Sequence, residues 1–102
     1  MTPERRKEIE GRAIRTYGEQ PQVDVAIEEM SELTKALLKH RRNEDMSVNR
    51  RLNNILEEIA DVQKEIADVQ IMLDQMRIIF GDTSSQEEYK LNWLWARMEA
   101  ET

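Results

Sequence analysis

The segment from Leu52 to Leu73, LNNILEEIADVQKEIADVQIML, decides the fold. Leu52, Ile55, Leu56, Ile59, Val62, Ile66, Val69 and Leu73 recur at the three- and four-residue spacing of one helix face. No Gly or Pro interrupts them. Six residues, Glu58-Ile59-Ala60-Asp61-Val62-Gln63, return unchanged as Glu65-Ile66-Ala67-Asp68-Val69-Gln70. A shift of seven residues advances a helix by ~10.5 Å and turns it by only ~20°. The repeat therefore copies one face two turns further along, and a tandem heptad duplication keeps the helical phase.

The same pattern extends outward in both directions. This third helix is expected to begin near Ser47 to Arg51 and to reach Phe80. From Ile71 to Phe80 its apolar residues surround the helix, which calls for cover on several sides. A second helix is expected from about Gln22 to Arg42, opened by Pro21. Its stripe is Val23, Ala26, Ile27, Met30, Leu33 and Leu37. Asn43 to Ser47 reads as a hairpin loop. Thr2-Pro3-Glu4 is a start signal for a first helix ending near Tyr17, with Gly18 as its terminator. Gly81 to Ser85 is a break, and Ser84 or Ser85 can cap a fourth helix to about Met98. No strand pattern occurs. The expected fold is all-α: one domain over residues 1–102, a four-helix bundle with a long third helix, completed by oligomerisation.

Composition narrows the chemistry. The 102 residues hold no Cys and one His. Thiolate and His-rich metal sites are thereby excluded, and oxygen ligands favour Mg²⁺ or Mn²⁺ over Zn²⁺. Fifteen basic against 21 acidic residues leave a net charge of −6, which argues against nucleic acid as a partner. No apolar run is long enough to span a bilayer. The charged N-terminal segment has no signal-peptide core, so a cytoplasmic location is expected.

The acids are patterned too. Glu29 and Glu32 lie three apart on the second helix, in a line from Val25 to Ala36 that is apolar at both ends. Glu58 and Asp61, and again Glu65 and Asp68, lie three apart on the third, beside its apolar stripe. Two antiparallel helices joined by a short loop would bring these pairs together at the margin of the core. Converging carboxylates repel and lose hydration unless a cation joins them. Helix acids at this spacing are also common on solvated faces.

Glu28-Glu29-x-x-Glu32 followed by Glu58-x-x-Asp61 or Glu65-x-x-Asp68 resembles the two-part EExxE and ExxD signature of the MazG-like all-α nucleoside triphosphate pyrophosphohydrolases. The context Ala26 to Leu33, Glu57 to Val62 and Tyr17 to Gln22 is similar to that family over roughly residues 9 to 80. The resemblance implies Mg²⁺-dependent cleavage of NTP or dNTP to monophosphate and pyrophosphate, by a homodimer or homotetramer. It implies Glu29 and Glu32 as metal ligands with one pair from Glu58, Asp61, Glu65 and Asp68. Glu28 and Glu32 are the candidate catalytic acids, and Gln22 and Lys35 the candidate substrate contacts. The chain departs from the pattern in having two ExxD copies. The spacer after Glu32 is 25 residues to the first copy (33 to 57) and 32 to the second (33 to 64). Spacer length favours Glu58 and Asp61, and continuity with Ile71 to Met76 favours Glu65 and Asp68; the balance leans slightly to Glu58 and Asp61, with both pairs kept as candidates.

Weaker candidates complete the reading. Trp93 and Trp95 suit packing or subunit contact better than base stacking. Lys35, Lys39, Arg41 and Arg42 suit a solvated, basic helix end better than phosphate binding, and His40 reads as surface. The competing functional reading is a non-enzymatic helical oligomer or interaction module, including a variant inactivated by the duplication.

Overall fold

A computed structural model describes residues 1–45 and 52–101, with the side chains of 43–45 and 52–53 left aside. The described residues form four α-helices and no strand: α1 (Pro3–Tyr17), α2 (Glu19–Asp45), α3 (Leu52–Phe80) and α4 (Ser84–Glu101). No helix among them is long and apolar enough to cross a membrane.

The first boundary follows the sequence signals. The Thr2 hydroxyl accepts from the Arg5 N–H at 3.0 Å, and Pro3 occupies the first turn, where its missing N–H costs nothing. Gly18 ends α1 at φ +97°, a left-handed value that a side chain would strain, and its N–H donates to the Ile14 carbonyl at 2.8 Å. α2 starts at Glu19, earlier than expected. Pro21 is tolerated because the first turn needs no N–H donors. Asn43 to Asp45 continue α2 where a loop was expected. Met46, Ser47 and the expected start of α3 lie outside the described residues. α4 starts at Ser84, directly after Thr83. The Thr83 carbonyl accepts from the Glu87 N–H at 2.9 Å, and its hydroxyl bridges Arg77 Nε (2.9 Å) and Glu87 Oε2 (2.6 Å). Ser84 instead donates to Asp82 Oδ1 at 2.8 Å.

α2 and α3 pack as an antiparallel hairpin, and α1 rests against both. The stripe of α2 that turns towards α3 is not the apolar one. Its least exposed line runs through Gln22, Ala26, Glu29, Leu33, Ala36 and His40, whereas Ile27, Met30, Leu37 and Leu38 are exposed. α3 behaves likewise. Glu58, Val62, Glu65, Val69, Met72 and Gln75 turn inward, while Leu56, Ile59 and Ile66 point out. Both sets keep helical spacing, but they differ by a small rotation. Of the patterned acids, Glu58 is buried, Glu29, Glu65 and Asp68 are half-buried along the helix interface, and Glu28, Glu32 and Asp61 stay exposed.

Among the described residues the buried apolar set is small: Ile14, Ala26, Val69 and Met72. α4 buries no residue; Tyr89, Leu91, Trp93, Leu94, Trp95 and Met98 are all exposed. The radius of gyration is 17.6 Å, against about 13 Å for a compact chain of this length. Apolar surface of this extent on an open chain suits contact with another surface.

Candidate functional site

Three carboxylates meet across the hairpin. One oxygen each from Glu29, Glu65 and Asp68 lies within 4.8 Å of the other two, and all three side chains are half-buried. Register explains which acids meet. Gln22 Nε2 donates to Gln75 Oε1 at 2.6 Å in the buried interface. From that pair, seven residues along α2 lead to Glu29, and seven back along α3 lead to Asp68. One heptad on each antiparallel strand of the hairpin restores the same facing. Glu65 then follows one turn earlier on α3.

The electrostatics fit crowded carboxylates. Burial raises the Glu29 carboxyl above its ordinary range, and the negative charges of Asp68, Glu65 and Glu28 add to that, while Lys64 opposes it. Lys64 Nζ lies 3.6 Å from Glu65 Oε1 and 3.9 Å from Asp68 Oδ2, yet stays mostly in solvent. The other Glu65 oxygen, Oε2, is buried without a hydrogen-bond partner. Three hard oxygen donors this close, with an unsatisfied carboxylate oxygen on Glu65, are chemically suited to a divalent cation such as Mg²⁺ or Mn²⁺.

The first ExxD copy has other neighbours. Glu58 is buried and pairs with His40 Nδ1 at 2.5 Å. Asp61 is exposed and borders a groove of about 210 Å³ between α2 and α3. Glu32, Lys35, Ala36, Lys39, Lys64 and Glu65 also line this groove. Spacer length leaned towards Glu58 and Asp61; the oxygens that converge on Glu29 are those of Glu65 and Asp68. Glu32 is exposed at the groove and stands outside the converging three. Glu28 is exposed, and its charge is felt at Glu29.

The remaining candidates separate. Lys35 is exposed beside the groove. Gln22 is buried and engaged with Gln75, one heptad from the carboxylates. Trp93 and Trp95 are exposed on α4, where the Arg97 guanidinium lies 5.7 Å from the Trp93 ring centre. His40, read as surface, is half-buried by its bond to Glu58. Lys64 and Gln75 were missed. Lys64 closes the first repeat and precedes the second, so its place beside Glu65 was available in the sequence; the pairing of Gln75 needed the register. No protein-family model, no curated protein and no solved structure matches the chain.

Proposed function

We propose that this chain is a Mg²⁺-dependent nucleoside triphosphate pyrophosphohydrolase of the MazG-like type, acting in the cytoplasm on nucleotide pools. The observation that carries the reading is the convergence of Glu29 with Glu65 and Asp68, one acid from the EExxE half and two from the ExxD half. A Mg²⁺ ion held by these three would neutralise polyphosphate charge and polarise a phosphoryl oxygen and a water.

The chain's own residues carry the rest. Glu32, exposed at the groove beside Glu65, orients the water and accepts its proton as the oxygen attacks the α-phosphorus. The bond to the bridging oxygen breaks, and pyrophosphate leaves. Glu28 is the alternative base, but it stands outside the groove lining. Lys35, Lys39 and Lys64 offer three ammonium groups to the negative polyphosphate. A second copy covers the exposed apolar faces of α2, α3 and α4, giving a homodimer or homotetramer.

Incubation with a panel of NTPs and dNTPs plus Mg²⁺ should release monophosphate and pyrophosphate. Intact helicity with no turnover of any nucleotide would reject the reading, and orthophosphate release would reject the cleavage position. The exposed apolar surface also favours a second reading, a non-enzymatic helical oligomer. Under that reading Mg²⁺ would leave the melting temperature unchanged; under ours it raises it.

A further inference from the structure

α1 holds to the bundle through an unusual pair. Its two buried residues are Ile14 and Glu10, and the Glu10 side chain is only 7% exposed. It faces Asp74 on α3. Asp74 is well supplied with donors: Oδ2 accepts from Arg6 Nε at 2.8 Å, and Oδ1 from Gln70 Nε2 at 3.2 Å and Arg77 Nη1 at 3.4 Å. Glu10 is not. Its Oε2 has no hydrogen-bond partner, and Arg6 Nε stands 3.8 Å from it. A cleft of about 500 Å³ opens here, lined also by Lys7, Arg77 and Asp82.

Glu10 and Asp74 border one cleft and share the Arg6 guanidinium, and two carboxyls placed so, one rich in donors and one with a bare buried oxygen, are most stable together while they share a proton. We propose that Glu10 and Asp74 form a pH-operated latch: a shared proton holds α1 against α3, and its loss loosens α1 while the α2–α3 hairpin stays closed. The inference stands apart from the metal site, since neither residue belongs to it.

The charged surroundings assign the proton. Burial raises Glu10 to about 7; its hydrogen bond to Asp74 and the Asp74 charge push the same way, and Arg6 opposes them. Burial also raises Asp74, but hydrogen bonds from Glu10, Arg6 and Gln70 outweigh it and leave Asp74 below its ordinary range. Asp74 is therefore the ionised partner. Lys7, Arg77 and Asp82 face the cleft with two positive charges and one negative, and do not supply Oε2 with a donor.

The sign is fixed. Docked α1 holds the Glu10 proton up to about pH 7, whereas free α1 loses it near the ordinary value of about 4.3. Docking therefore weakens as pH rises through this window and reaches its floor above it.

Hydrogen exchange on the full chain tests this at pH 6.0 and 8.5, corrected for intrinsic rates. Protection of α1 amides should fall about tenfold, the loss expected for one proton over that interval, while α2 and α3 amides stay constant. Glu10→Gln should keep α1 protected at both pH values. Asp74→Asn, which removes the facing charge but leaves Glu10 buried, should shrink the response without abolishing it. Constant α1 protection in the parent would overturn the latch. So would an equal loss across all helices, or a Glu10→Gln chain that still loosens at pH 8.5.

Discussion

The two hexapeptides of α3, residues 58–63 and 65–70, are identical in sequence and nearly identical in orientation, yet they meet different chemistry. Their glutamates both turn towards α2, and their isoleucines both point away. Glu65 and Asp68 face Glu29. Glu58 pairs with His40, and it and Asp61 line the groove that Glu32 and Glu65 also border, without reaching Glu29. A motif on one helix therefore does not define a site. The opposite helix does, and the register of the hairpin decides which copy meets Glu29. The extra heptad is taken up towards the loop end, where α2 runs on to Asp45.

The largest contrast is expected in turnover. Glu65→Gln or Asp68→Asn should lower nucleotide cleavage by ~10²-fold or more, as loss of a group that organises transition-state charge does. Glu58→Gln and Asp61→Asn should keep most of it. Pyrophosphate release measured on all four variants checks this, and equal losses from both copies would dissolve the distinction. A smaller effect is expected where the register is pinned. Gln75→Leu leaves the buried Gln22 amide without its partner and should cost about 1–3 kcal/mol in urea unfolding. If stability is unchanged, that pair does not hold the register. The smallest effect belongs to the first copy itself. Glu58→Gln weakens one part-buried bond to His40 and should cost about 0.5–1.5 kcal/mol. Deleting residues 57 to 63, which keeps Lys64 next to Glu65, should then shorten the hairpin by one heptad and leave cleavage within severalfold of the parent. Loss of cleavage on deletion, with helicity intact, would mean that the loop-side heptad belongs to the site.

Much of this was legible in the sequence, for identifiable reasons. Capping at Thr2 and termination at Gly18 depend on local chemistry, so they were visible. The long third helix was visible because nothing in it breaks the pattern. The choice between ExxD copies was not, because both share one helical phase and only contacts across the hairpin separate them. Rotation of the stripes was hidden for a similar reason. Ile27, Met30 and Leu37 form as regular a line as Gln22, Ala26 and Glu29, and local spacing cannot say which line faces α3. The Glu10–Asp74 pair escaped because its partners lie on different helices, and neither belongs to a motif.

Metal binding by the two copies is the most direct measurement. Mn²⁺ titration followed by electron paramagnetic resonance compares the parent with a Glu65→Gln, Asp68→Asn double variant and a Glu58→Gln, Asp61→Asn double variant. The expected result is that the parent and the 58/61 variant bind with similar affinity, while the 65/68 variant loses binding. Loss of binding in the 58/61 variant with the 65/68 variant unaffected, or no binding by the parent, would contradict the assignment of the site to Glu29, Glu65 and Asp68.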